Sequence, residues 1–424
     1  MPREKKNTDE SSAPEVEVKY ERCAGIDVHK KQITVCLVVG DKKEIREYGT
    51  MTGDLLDCIA WLEEEQCEIV LMESTSVYWK PVYNLFEVSD VQVRVANAYS
   101  VKQISGRRTD VQSSEWLATL LRFGLVKYSL IPSRDQRELR EMVRYRNTMI
   151  RERASEVNRV HKILEGANIK LSSIVTDMQG TTAISILRLL SSGEVDPIIL
   201  SMEAKGALRN KVPELQKALE GNVGPHQQKM LQLQIQHYDH MTKMIEELDE
   251  EIKKKLVNEE ETITLLCTIP GIGERSAQKI VAEIGTDMSR FPSSDHIASW
   301  AGLAPGINES AGKRKPALAL PGNEHLRTTL VEAAWSSIKG KGIFFRQRYW
   351  RLVPRCGKKK AIVAVARSML VAIYHMIKNK TSYLDRGNEP TSQKQLERSI
   401  KRSIYTLQTN GYTVIQTPTP EPAI

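Results

Sequence analysis

Apolar and polar positions follow three different rhythms along the chain, and each predicts a different kind of element. Residues 1–20 are polar and rich in charge, Ser and Pro, which predicts a disordered tail. From Cys23 the rhythm is that of strands. Cys23–Asp27 is short and apolar, Ile33–Val39 (ITVCLVV) is apolar and mostly β-branched, and Lys43–Tyr48 is a more polar third strand. Leu55, Leu56, Ile59 and Leu62 then recur at helical spacing. Glu68–Met72 (EIVLM) reads as a buried strand, Trp79–Phe86 as a helix, Gln92–Val95 as a strand and Ser113–Phe123 as a helix. This order predicts an α/β unit with a mixed sheet over residues 21–130.

The second rhythm is a heptad. Val143, Ile150, Val157 and Leu164 recur every seven residues, as do Leu231, Tyr238, Ile245 and Ile252, with Met241 and Leu248 between the latter. Two long helices are expected over 131–258, paired as an antiparallel coiled coil or as a dimer seam, with a smaller helical insert near 166–225. A bundle packed only within the chain is the plainer alternative. The third rhythm is again helical, at Ile263–Ile269, Ser276–Ile284, Leu326–Ile338 and Ala361–Ile377, and predicts an all-α unit over 259–385. Residues 386–424 are polar and Pro/Thr-rich, as in a flexible tail.

Composition narrows the class of protein. The net charge of +8 and pI near 9.0 suit a polyanionic partner without requiring one. The six cysteines form no CxxC pair and no zinc-spaced cluster, so they read as reduced thiols. The N-terminus lacks the apolar segment of a signal peptide, and no apolar stretch is expected to span a membrane. A cytoplasmic protein with no membrane partner is the expectation.

The chemistry-bearing residues fall in two places. Asp27 lies where the first strand runs out (GIDVHK), and Glu73 where the buried strand runs out (MESTSVYW). Strand ends of an α/β sheet open into a shared crevice, so these carboxylates can meet. Asp110, in GRRTD, stands ahead of a helix, where it can also act as an N-cap. Converging carboxylates need cations, and two Mg²⁺ ions held by carboxylate and water oxygens can drive phosphodiester cleavage. A turn aspartate and a helix cap are the bland readings of Asp27 and Asp110. Glu73 resists one, because so apolar a strand seldom ends in a charge without a partner.

GIDVHK, the strand ending in MES, and RRTD before SEWLATLLRFGL together resemble the DEDD transposases of bacterial insertion sequences. That group includes the Piv/MooV-type DNA invertases, and some members are guided by a bridge RNA. The similarity covers roughly residues 22–385 and implies a RuvC/RNase H-like α/β domain, a helical coiled coil, and an all-α C-terminal domain with a helix-hairpin-helix element. It matches Asp27, Glu73 and Asp110 to the first three metal-binding acids, with Arg107 and Arg108 beside them as nucleic-acid contacts. The family's fourth acid falls at Ser113, which shares a helix face with Asp110 but brings no charge. Weakened metal binding and impaired catalysis are the expectation.

Farther on, CTIPGIGERSAQKIVAEIG (Cys267–Gly285) has the pattern of a helix-hairpin-helix. Gly271 and Gly273 would expose backbone N–H groups to a DNA phosphate, or simply supply the positive φ of a tight turn. WAGLAPGINESAGKRK then places Ser310 ahead of Lys313, Arg314 and Lys315. A loop serine is ordinarily a turn residue. A nucleophilic one needs exposure and flanking positive charge, which the basic run could supply. The resemblance matches Ser310 to the family's catalytic nucleophile, which joins covalently to DNA. The following PALALP (Pro316–Pro321) is less basic than the family tends to be. Beyond it, Arg327, Lys339, Lys341, Arg346, Arg348, Arg351, Arg355 and Lys358–Lys360 interleave with Phe344, Phe345, Tyr349 and Trp350. Basic stems suit a backbone and aromatic faces suit unstacked bases, while a solvated helix face over core aromatics is the plain alternative.

The resemblance further implies DNA as partner, a guide RNA in some members, and a homo-oligomer, dimer or tetramer. The composite site would take the carboxylate domain of one subunit and the serine domain of another. The expected reaction is DNA strand cleavage and exchange. Two alternatives stay open: a catalytically silent DNA- or RNA-binding relative, which Ser113 favours, and a metal-dependent junction nuclease in which Ser310 is a bystander.

Overall fold

The structure is a computed structural model that describes residues 17–74, 77–98, 101, 110–305, 309–310, 313–314, 322–340, 343–385 and 393–415. Side chains are not described at 110, 111, 309, 310, 313, 314, 393–396, 398 and 399. The chain divides into two compact units, Met1–Pro132 and Ser133–Ile424.

In the first unit the expected strands and helices form, with small shifts. They are β1 (Arg22–Val28), β2 (Gln32–Val39), β3 (Lys42–Gly49), α1 (Thr52–Glu64), β4 (Ile69–Glu73), α2 (Trp79–Phe86), β5 (Gln92–Ala96) and α3 (Asp110–Arg122). The sheet order is β3-β2-β1-β4-β5; the first three strands are antiparallel, and β4 pairs parallel with both β1 and β5. This is the mixed five-strand, RNase H-like arrangement.

Alternation along the strands makes two cores. Ala24, Ile26, Val28, Val70 and Met72 face Leu55, Cys58, Ile59, Trp61 and Leu62 of α1 and Val82 and Phe86 of α2. Cys23, Ile69, Leu71 and Ala96 face Leu117, Ala118, Leu120 and Leu121 of α3 on the other side. Two expectations need correcting here. Leu56 is 50% exposed, since the buried stripe of α1 runs through Leu55, Cys58, Ile59 and Leu62 and widens on the opposite flank, to Trp61. Ordering also begins before Cys23: the Lys19 and Tyr20 N–H groups donate to the Arg122 carbonyl at 2.8 and 3.2 Å. Residues 1–16 of the expected tail lie outside the described residues.

The second unit opens with α4 (Arg134–Gly166), continues through α5 (Thr181–Ser192) and α6 (Val212–Leu219), and returns along α7 (Pro225–Lys255). Contacts from Glu138 to Lys255, Arg146 to Asp249, Arg153 to Thr242 and Glu156 to His237 run in opposite numerical order, so the two long helices pair antiparallel within the chain. Val143, Val157, Leu164, Leu231, Tyr238, Met241, Ile245 and Ile252 are buried as the heptads predict. Ile150 and Leu248 are only half-buried, because Arg146 and Met149 occupy that stretch of the seam. Arg146 is fully buried and donates to Asp249 at 2.6 Å and to Gln278 at 2.8 Å. The insert between the long helices packs Leu171, Ile186, Leu187, Leu200 and Leu215 into one core with Val157 and Leu164 of α4 and Leu231 and Tyr238 of α7.

There follow α8 (Glu260–Cys267), α9 (Glu274–Ile284), α10 (Ser294–Trp300), the short strands β6 (Glu309–Ser310) and β7 (Lys313–Arg314), α11 (Glu324–Lys339) and α12 (Ile343–Asn379). The β6–β7 pair means the region is mostly helical, not all-α as expected. Gly357 (φ 79°) bends α12, with Pro354 just ahead of it. The expectation that no apolar stretch reaches spanning length also fails. An 18-residue window of α12 has mean hydropathy 1.5, and 56% of that window is buried, as in a core helix. A further helix, α13 (Gln393–Thr409), forms where a flexible tail was expected; Leu396, Ile400, Ile404 and Leu407 keep helical spacing within a polar composition. Residues 386–392 and 416–424 lie outside the described residues.

Among the described glycines of the first unit, the tightest approach to backbone atoms is at Gly25. A Cβ there would stand 2.1 Å from the Ser114 carbonyl oxygen and 2.4 Å from the Ala118 nitrogen. Gly25→Ala is therefore expected to cost about 1–3 kcal/mol, as overpacked cores do. Urea unfolding measures it, with Gly53→Ala as control, since an added Cβ at Gly53 meets nothing within 4 Å. Equal stability of the two variants contradicts the packing described.

Candidate functional site

The carboxylates are brought together by strand register. β1 and β4 pair Gly25 with Leu71 and Ile26 with Met72, and one residue further the same register sets Asp27 beside Glu73. By alternation both fall on the α3 side of the sheet, with Cys23 and Gly25 on one strand and Ile69 and Leu71 on the other. Both are half-buried. His29 Nε2 stands 3.5 Å from Asp27 Oδ2, a neighbour the sequence reading missed although the i, i+2 spacing on a strand implies a shared face.

α3 runs antiparallel to β1. Cys23 Sγ lies 3.8 Å from the Ala118 carbonyl oxygen, and Gly25 packs on Ser114. Continuing along β1 towards Asp27 therefore leads towards the first turn of α3, which Asp110 opens. Ser113 is half-buried in that turn. Ser114 is fully buried against the sheet, a polar group the sequence reading did not single out. Glu115 acts elsewhere. Burial first, and then the charge of Glu115, push the Cys36 thiol on β2 up to about 11. The Asp110 side chain, and Arg107 and Arg108 altogether, lie outside the described residues.

Among the described residues no three His, Cys, Asp or Glu groups form a metal cluster. The described members are Asp27 and Glu73. Two carboxylates from adjacent strand ends supply the hard oxygen donors that Mg²⁺ prefers, so the residues present fit such an ion.

In the second unit, α8 and α9 enclose the turn predicted as a helix-hairpin-helix. Gly271 has the positive φ (93°), and a Cβ there would stand 2.4 Å from the Ala333 carbonyl oxygen and 2.6 Å from the Ser337 nitrogen. Its lack of a side chain lets the turn pack on α11. Gly273 departs from the expected positive φ, with φ −99°, and opens α9 with free space around its Cα.

Ser310 pairs with Lys313 across β6 and β7, and Glu309 with Arg314, so the serine is the last residue of β6. The side chains of Ser310, Lys313 and Arg314, and all of Lys315 and 316–321, lie outside the described residues. Arg327 is half-buried on α11. Of the interleaved aromatics, Phe345 and Tyr349 are buried and belong to the core, whereas Trp350 is 58% exposed beside Arg351 and Arg346. Lys341 lies outside the described residues.

A buried cluster of charges in this unit centres on Glu283, the penultimate residue of α9. It is buried, with Arg144 Nε and Nη2 at 2.8 and 2.9 Å, Arg140 Nε at 3.2 Å and Asn323 Nδ2 at 2.6 Å. Burial by itself would raise this carboxyl. The donors outweigh burial, Arg144 most of all, and hold it below the usual carboxylate range.

Two family models match the chain. One, a DEDD transposase model of the IS110 type, covers residues 24–169, and so spans Asp27, Glu73, Asp110 and Ser113. The other, "Transposase IS116/IS110/IS902 family", covers 263–349 and spans Gly271, Ser310 and Arg327. The chain belongs to the IS110/IS116/IS902 family of DEDD transposases. Among curated relatives of this family, the pilin gene-inverting protein of Moraxella bovis is 32% identical over 130 residues, which are 30% of this chain and 40% of that protein. The transposase for insertion sequence element IS1328 of Yersinia enterocolitica is 27% identical over 201 residues, 47% of this chain and 50% of the relative. A probable family 20 transposase of Pseudomonas aeruginosa is 22% identical over 321 residues, 74% and 85% of the two chains. The chain thus spans half or less of the length of the first two.

Glu283 generates a pH prediction. A carboxyl whose folded pKa is depressed contributes its full stability above the unfolded value, ordinarily 4.5, and loses it as pH falls through the folded value. Thermal unfolding of the full chain is expected to show an acid loss below the ordinary value, and Glu283→Gln to flatten it. An acid slope unchanged by that substitution contradicts the assignment.

Proposed function

We propose that this family member is a DNA transposase or recombinase that cleaves and exchanges strands for an insertion sequence. The observation that carries the reading is the juxtaposition of Asp27 and Glu73 at the ends of adjacent parallel strands, on the sheet face that α3 covers. Asp27, Glu73 and Asp110 would hold Mg²⁺, which supplies charge neutralisation at the phosphate and a more acidic oxygen. Membership of a DEDD family supports a divalent metal and DNA as partner.

Ser310 is the attacking group in this reading. Its Oγ gives up its proton and bonds to phosphorus, the bond from phosphorus to a DNA oxygen breaks, and the departing oxygen takes up a proton, so the proton count is unchanged. Lys313, cross-strand from Ser310, with Arg314 and Lys315, would offset the charge that builds on the phosphate oxygens. Arg107, Arg108, Gly273 and Arg327 would contact the nucleic-acid backbone. Gly271, whose turn packs on α11, would join them through its backbone N–H. A guide RNA and a homo-oligomeric active form belong to the proposal by likeness to the family alone.

A second reading rests on Ser113. A neutral hydroxyl three residues after Asp110 leaves the metal site one charge short, and a weakened or silent copy that still binds nucleic acid follows. A plasmid recombination assay with Mg²⁺ and the candidate element ends separates the readings. Ser113→Asp is expected to raise recombination well above that of the protein as it stands. Ser310→Ala is expected to lower it by roughly 10²-fold or more, as loss of a nucleophile does. Undiminished cutting by Ser310→Ala would instead mark a nuclease that uses the carboxylates alone.

A further inference from the structure

We propose that Glu283 and Asn323 form a clamp that positions the Ser310 hairpin, so that both are positioning residues for the reaction. The proposal rests on the reading of Ser310 as nucleophile. Ser310 lies in the segment that joins α10 to α11. Its two stems touch backbone to backbone: a Cβ on Gly322 would stand 2.2 Å from the Gly302 nitrogen and 2.6 Å from its Cα. The Asn323 N–H donates to the Trp300 carbonyl at 3.0 Å.

The Asn323 side chain then does two separate things. Its Oδ1 accepts from the Leu326 N–H at 3.0 Å and caps α11, while its Nδ2 donates to Glu283 Oε2 at 2.6 Å. Glu283 is itself fixed from α4 by Arg144 and Arg140. Arg140 Nη2 also donates to the Glu283 carbonyl at 2.7 Å, and Gln136 donates to the Val281 carbonyl at 2.8 Å.

A buried carboxylate at the C-terminal end of a helix stands against the helix dipole, and fold stability alone gives little reason for it. An apolar contact would join α4 to α9 equally well. What it could not do is hold an amide in one orientation at the point where the hairpin stem returns.

A polarity exchange tests this. Asn323→Asp keeps an acceptor for the helix cap but cannot donate to Glu283 and sets like charges face to face. Glu283→Gln removes the acceptor's charge. The double variant restores a hydrogen bond with donor and acceptor exchanged and leaves the net charge of the cluster unchanged.

Three quantities are measured on the full chain, and in parallel with Ser113→Asp present. They are the single-turnover rate of covalent protein–DNA formation, the Kd for the same DNA, and deuterium uptake of peptides covering 303–322. Each single variant is expected to slow the covalent step by about 10²-fold at unchanged Kd, as a small misplacement of a reacting group does. Uptake across 303–322 quickens in both singles, and the double recovers rate and uptake together.

Unchanged uptake in both singles, a rate that falls only in step with DNA affinity, or a double no better than its parents overturns the clamp. Uptake is independent of chemistry. If uptake responds and recovers while Ser310→Ala still forms the covalent product, the clamp stands and the reading of Ser310 fails.

Discussion

Strands β1 and β4 run parallel and in register, and the proposed chemistry of the first unit depends on that pairing. Asp27 and Glu73 are 46 positions apart in the chain, yet the register that joins Ile26 to Met72 makes them neighbours on one face. The close approach of α3 depends on Gly25, where any side chain would meet the helix backbone. The antiparallel run of α3 along β1 then directs its first turn, with Asp110 and Ser113, towards the strand ends that carry the acids. A one-residue slip between β1 and β4 would move one carboxylate to the opposite face and remove the site.

The second unit is organised differently, by charge buried between helices. Arg146 links α4 to Asp249 on α7 and Gln278 on α9, and Glu283 gathers Arg140, Arg144 and Asn323. Such pairs are weak sources of stability and strong sources of specificity, because a misplaced partner leaves an unpaired charge out of water. They give the antiparallel pairing of α4 and α7 one register. They also hold the return stem of the segment that carries Ser310.

How much of this was legible in the sequence depended on whether a signal was local. ITVCLVV and EIVLM read as strands and the heptads as long helices, because their periodicity is complete within each element. Asp27 and Glu73 were legible as strand-end acids. The partners of Arg146 and Glu283 were not, since Asp249 and Arg144 lie more than a hundred residues away from them. The same holds for Gly271: its glycine was visible, but its contact with Ala333 and Ser337 arises only once α11 packs there. Leu56, Ile150 and α13 were misjudged for a related reason. A single apolar residue, or a polar composition, outweighed the spacing of the neighbours that decide which face is buried.

The central claim is that Asp27 and Glu73 belong to one cation site. Mn²⁺ binding to the full chain, followed by its paramagnetic resonance signal, tests this most directly and does not depend on turnover. Saturable binding that falls sharply in Asp27→Asn, and equally in Glu73→Gln, is the predicted result. Binding unaffected by either substitution, or affected by one alone, would contradict the account.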